Sequence, residues 1–167
     1  MLPARLLMHW KNRSEPHRLT FDTNALQKPS YAMVGILLLT HAPLGKAFIE
    51  AATHVFRSPP AQVEAVDVVA DQEPEEVRRL ACEAIARIND GAGVLVITDV
   101  MGGTPSNCTL QLRVPGEVEI IAGISLPMLL RAITYRHNAL DVMVEMALAG
   151  GQSGACRVDN PVRFAPN

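Results

Sequence analysis

Met33-Val34-Gly35-Ile36-Leu37-Leu38-Leu39-Thr40-His41 is a run of seven apolar or glycine residues that ends on a polar pair. A short, unbroken apolar run of this kind reads as a strand covered on both faces, here over residues 33–39, with His41 just beyond its end. A second run, Val94-Leu95-Val96-Ile97-Thr98-Asp99, ends on an acid and continues into Gly102-Gly103-Thr104-Pro105. Parallel strands deliver their carboxyl ends to one edge of a sheet, where ligands and chemistry collect. One imidazole, one carboxylate and a glycine loop opening a helix therefore converge there. That set suits a histidine that accepts a phosphoryl group.

Working outward, the period alternates between strand and helix. Residues 44–56 read as a helix with Leu44, Ala47, Phe48, Ala51 and Val55 on its apolar face, broken by Ser58-Pro59-Pro60. Residues 63–69 give a second strand. Pro74 opens a helix whose stripe is Val77, Leu80, Ala81, Ala84, Ile85 and Ile88, stopped by Asn89-Asp90-Gly91. Residues 93–98 form the third strand. Thr104-Pro105 reads as N-cap and first residue of a helix through about Leu112. After the turn Val114-Pro115-Gly116 comes a fourth strand, residues 118–122. Ser125 opens a helix to about Tyr135, and residues 139–149 form another, closed by Gly150-Gly151. The tail, residues 155–164, can supply a short edge strand. The predicted fold is α/β, a doubly wound, mainly parallel sheet of four strands with helices on both faces. If the first and third strands are neighbours, His41 and Asp99 face each other across the crevice at the switch point. No repeat or second domain is evident.

Composition narrows the class. Hydrophobic residues make up 49% of the chain but aromatics only 4%, so the core must be built from Val, Ile, Leu and Ala. A formal net charge of −2 across 167 residues carries no nucleic-acid footprint. The charge is uneven: residues 1–32 hold Arg5, Lys11, Arg13, Arg18 and Lys28 against Glu15 and Asp22. That segment has neither helical nor strand periodicity and reads as a disordered extension, or as sequence upstream of a start at Met33. The acids weaken a nucleic-acid arm or transit peptide. The expected organisation is thus 1–32 extension, 33–155 domain and 156–167 tail. Cys82, Cys108 and Cys156 have no paired spacing and read as buried, reduced thiols, which fits the cytoplasm. No stretch is long enough to span a bilayer, so membrane insertion is not expected, and Leu6-Leu7-Met8 is too short for a signal-peptide core.

His41 is the central candidate. A neutral imidazole nitrogen can attack phosphorus without a separate base, provided the other nitrogen holds its proton in a fixed direction. A carboxylate fixes that tautomer and stabilises the cation formed on attack, and Asp99 is the best-placed acid. The plainer alternative is a strand-end histidine bonded to backbone. Gly102, Gly103 and Thr104 supply the second element, since glycines admit close approach and a helix N-terminus offers N–H donors to phosphate. A tight turn before a capped helix explains that string equally, and the lysine and spacing of a P-loop are missing. His54, His137, His9 and His17 are weaker candidates, and no histidine pair has metal-ligand spacing, so no metal or cofactor is expected. Asp67 falls inside the second strand, either paired or at an exposed end. Ser106 and Asn107 are polar contacts or ordinary first-turn residues.

Three ordered segments carry a resemblance: Gly35-Ile36-Leu37-Leu38-Leu39-Thr40-His41, the Val94–Asp99 run with Gly102-Gly103-Thr104-Pro105-Ser106-Asn107, and Ile121-Ala122-Gly123-Ile124-Ser125-Leu126-Pro127-Met128-Leu129. Together they resemble the IIA domain of the mannose family of the bacterial phosphotransferase system, over roughly residues 33–155. The resemblance implies that His41 takes a phosphoryl group from the phosphocarrier HPr and passes it to a IIB protein, with Asp99 as the orienting aspartate. It also implies a homodimer in which a C-terminal strand is contributed to the partner. Two departures stand out. Ala42-Pro43 replaces the glycine usual after the histidine, and no IIB sequence follows the domain, a pattern that resembles stand-alone IIA proteins reporting carbon or nitrogen status. Three readings are therefore open: a phosphoryl relay to a IIB partner, a regulator whose partner binding is switched by His41 phosphorylation, and a small-molecule binding or hydrolytic domain that uses the same edge for a phosphorylated metabolite.

Overall fold

The computed structural model describes residues 32–102 and 110–157. The apolar runs become strands β1 (Gly35–His41), β2 (Val63–Val68), β3 (Val94–Thr98) and β4 (Val118–Ala122). They form one sheet in the order β2-β1-β3-β4, every pairing parallel. Among the described residues four α-helices pack on it: α1 (Leu44–Phe56), α2 (Pro74–Ile88), α3 (Leu126–Tyr135) and α4 (Leu140–Gly154). β1 runs to His41 itself, so the histidine is the last residue of the strand.

The continuous apolar character of β1 and β3 follows from burial on both sides. Ile36, Leu38, Leu95 and Ile97 point into a core shared with Ala52 of α1, Leu129 of α3 and Met143 of α4. Leu37, Leu39, Val94 and Val96 face the other way, onto Val77, Ala81, Ala84 and Ile88 of α2. Each of these Leu or Ile side chains, fully buried, contributes on the order of 1.5–3 kcal/mol. The result is a stiff platform whose carboxyl edge can hold side chains in register.

Several expectations change. The apolar face of α1 is turned: Gly45 and Ala52 are buried and Phe48 and Ile49 half-buried, while Leu44 and Val55 of the expected stripe are exposed. Gly150 and Gly151 do not end the last helix, which continues to Gly154. A Cβ on Gly150 would lie 2.6 Å from Arg131 Cγ, and one on Gly154 the same distance from Pro127 Cβ. These glycines are where α4 lies against α3, so they serve packing, not termination. Cys82 is half-buried against the α2-side core, and burial pushes its thiol pKa up, partly opposed by Arg78. Cys156 is exposed, contrary to the expected burial, because it follows α4 with no element over it among the described residues. A 3₁₀ turn at Leu110–Leu112 stands at the end of the helix expected from Thr104, whose first residues lie outside the described ones, as do Cys108 and the extension through residue 31. Residues 155–157 of the tail form no strand; residues 158–164 lie outside the described set.

Candidate active site at the carboxyl edge of the sheet

β1 and β3 are neighbours, paired through Leu39↔Thr98, and beyond that pair the two chains part. One heads for α1 and β2, the other for β4, which opens the expected crevice. His41 and Asp99 stand on its two sides and close it. Asp99 Oδ2 accepts from the His41 backbone N–H at 3.1 Å and from the ring Nδ1 at 2.8 Å. Its other oxygen accepts from Val100 N at 2.9 Å and Thr98 Oγ1 at 3.4 Å. The carboxylate is therefore held by its own chain and in turn holds the neighbour.

Burial alone would raise the Asp99 pKa, but the hydrogen bonds from the His41 ring and backbone, the His41 charge and the Val100 N–H outweigh it and keep the carboxyl below its ordinary range. An ionised carboxylate can only accept, so Nδ1 carries a proton, and in the neutral form of the ring the lone pair is on Nε2. The His41 side chain is 47% exposed against 12% for Asp99. A half-exposed ring oriented by a half-buried acid is an arrangement that can serve as a nucleophile.

The segment after His41 is tied down as well. Ala42 N donates to Val68 O at 2.9 Å, and the Ala42–Pro43 bond is cis. Pro43 occupies the N-cap position of α1 and has no side chain to cap it. The Asp67 carboxylate fills that role from β2, accepting from Gly45 N at 2.8 Å, Thr40 Oγ1 at 3.3 Å and Lys46 N at 3.4 Å. Asp67 is thus paired, and it was legible only as an acid within a strand. The signal that singles it out is the strand-end rule itself, applied to β2 as it was to β1 and β3.

On the far side, Gly123 and Ile124 donate to Thr98 O, and Ser125 caps α3 by accepting from Met128 N at 3.3 Å. Gly102 has a φ of 85°, a turn conformation that favours glycine. Gly103, Thr104, Ser106 and Asn107 lie outside the described residues. His54 is exposed ten residues along α1, about 15 Å from its start, and His137 is exposed just after α3; neither joins His41. Among the described residues no group of three His, Cys, Asp or Glu side chains could hold a metal, and no helix is long and apolar enough to cross a membrane.

The family model EIIA-man, described as PTS system fructose IIA component, matches residues 35–148. The chain belongs to this family. Mannose-family IIA components are phosphotransferases that carry phosphoryl groups within a sugar phosphotransferase system. Among curated relatives, the PTS system mannose-specific EIIAB component of Escherichia coli is 29% identical over 92 residues, 53% of this chain. The match spans only 28% of that relative's length. The PTS system sorbose-specific EIIA component of Lacticaseibacillus casei is 31% identical over 106 residues, covering 62% of this chain and 74% of that protein. The fold agrees with solved structures. The mannose/sorbose specific IIA subunit from Enterococcus faecalis superposes with a TM-score of 0.69 at 19% identity, covering 77% of this chain and 97% of its own. The EIIA component from Streptococcus agalactiae gives 0.67 at 21% identity, covering 75% and 97%.

Proposed function

We propose that this IIA protein accepts a phosphoryl group from phospho-HPr on Nε2 of His41 and passes it to a IIB-type acceptor in the cytoplasm. The observation that carries the reading is the single Asp99 oxygen shared by the His41 backbone and ring, which aims the free nitrogen outward. As the Nε2–P bond forms, the P–N bond of the carrier breaks, and its imidazole keeps the electron pair. No proton need move at His41, because the Nδ1 proton stays directed at Asp99 while the ring becomes cationic. Positioning carries much of a transfer between two nitrogens with a loose transition state. In this reading Gly102, Gly103 and Thr104 supply N–H donors for the phosphoryl oxygens.

A protein donor suits the surroundings better than a small phosphate ester. Leu44, Val69, Val100 and Met101, all exposed, follow the ends of three strands at this edge, with Met101 85% exposed. Such a rim favours a docked partner. A homodimer fits the opposite flank: among the described residues β4 pairs with no strand other than β3 and otherwise makes only the isolated Val114↔Val118 bridge, and an open groove beside it is lined by Glu119, Asp141, Val142 and Glu145. A strand from a second copy would complete that edge. The working unit in this reading is residues 33–155.

The test is to charge the purified protein with phosphoenolpyruvate, enzyme I and HPr, remove the donors, and add a IIB protein. An acid-labile phosphoryl group that discharges to IIB is expected. A protein that charges but never discharges would point to the regulatory reading, and one that does not charge would remove the carrier reading altogether.

A further inference from the structure

The mechanism above uses Asp99 but leaves the second carboxylate at this edge, Asp67, without a part. Its surroundings are unusually specific for an acid within a strand. Thr40 pairs with Asp67 in the β1–β2 register, so both side chains lie on the α1 face, one residue before His41 and Val68. Thr40 is fully buried and donates its hydroxyl to Asp67 Oδ1. The same oxygen takes the Gly45 N–H, and Oδ2 takes Lys46 N. Gly45 permits this contact: a Cβ there would sit 2.7 Å from Asp67 Oδ1 and 3.0 Å from Thr40 Oγ1. One carboxylate thereby clamps the residue before His41 to the helix that starts after it.

From this juxtaposition we infer that Asp67 is a positioning residue for phosphoryl transfer at His41, fixing the 42–46 turn and occupying N–H groups at the start of α1. Two consequences follow, both resting on the carrier reading. First, His41 is held from two directions: Asp99 orients its ring and backbone N–H, while Asp67 keeps the turn after it from drifting. Second, the α1 terminus is a helix start next to the histidine, and an anion would normally be drawn to it; with Asp67 seated on Gly45 N and Lys46 N, those donors are already taken.

Single-turnover transfer from phospho-HPr, followed by quenched intact mass, separates this from a structural role. The amplitude counts competent molecules, and the limiting rate reports geometry in those molecules. For Asp67→Ala we expect wild-type amplitude, half-saturation within about twofold and a limiting rate lower by about tenfold, since small misplacements cost large factors in rate. Asp67→Asn keeps a carbonyl oxygen for Gly45 N and should recover to within about threefold of wild type, as Asn and Asp cap helices about equally well. An Asp67→Ala protein with the wild-type limiting rate overturns the inference, as does a loss confined to amplitude. So does an Asn variant no faster than Ala, provided it melts like wild type. A wild-type protein that takes no label at all would sink the carrier reading itself, and the inference with it.

Discussion

β3 is flanked by two aspartates that do the same structural job at opposite ends of the sheet. Asp90, before the strand, accepts from Met33 N at 3.2 Å with one oxygen and from Ala92 N at 3.3 Å with the other. Asp99, after it, accepts from His41 N and from Val100 N in the same arrangement. Each ties its own chain to one end of the β1 segment. They differ in the third partner. At Asp90 it is the Gln62 amide at 3.0 Å, which cannot titrate or attack, and the nearby Arg136 is a buried cation whose burial lowers its pKa against the opposing charge of Asp90. At Asp99 it is a half-exposed imidazole. A carboxylate bridging two strands is therefore a fastening, and in the proposed reading the exposed ring makes one of the two a reactive site.

Breaking the reactive end should have the largest effect. His41→Ala is expected to abolish phosphoryl uptake while the melting temperature stays within about 2 °C, because surface substitutions cost little; labelled variant protein would move the acceptor elsewhere. Asp99→Asn comes next. It keeps an oxygen for the backbone N–H but loses the charge that orients the ring, and uptake should slow by about a hundredfold. Full-rate uptake by that variant would remove Asp99 from the mechanism.

At the other end the effects should be smaller and of a different kind. Asp90→Ala loses three hydrogen bonds and the charge facing Arg136, and should lower stability by about 2 kcal/mol in a denaturant titration. Its folded molecules should charge at the wild-type rate; a slowed rate would mean the two ends are coupled through the sheet.

The smallest effect is the acid response common to both ends. Burial tends to raise both carboxyls, but hydrogen bonds hold them below the ordinary value of 3.8. On acidification the unfolded chain thus takes up these protons before the folded one. The stability they contribute is complete above about pH 5 and is lost as pH falls through and below 4. The stability difference between wild type and Asp90→Asn should stay constant from pH 5 to 8, as a flat line in urea midpoints, and shrink only in acid. A difference that already shrinks near neutrality would show that the Asp90 carboxyl is not held as described.

Much of this was legible in the sequence, and the failures have physical causes. β1 and β3 announce themselves because strands buried on both faces cannot contain polar residues until they reach an edge, which is also why His41 and Asp99 stood out. The sequence pattern marks α1 with its boundaries but not its buried face. Its first contact is made by Gly45, which has no side chain, so the apolar pattern starting at Leu44 fits a helical stripe equally well while pointing outward. Gly150 and Gly151 looked like a stop because close helix packing and helix termination select the same residue. Asp67 was hidden because its value lies in the positions of Gly45 and Thr40, which only the parallel register brings beside it.

The most direct test is to map the phosphoryl group. After charging by phospho-HPr, peptide mapping under conditions that preserve phosphohistidine should find one group, on His41 alone, with His9, His17, His54 and His137 unmodified. A phosphoryl group on any other residue, or none on His41 in a folded protein with a competent donor, would contradict the account of this edge as a nucleophile aimed by Asp99.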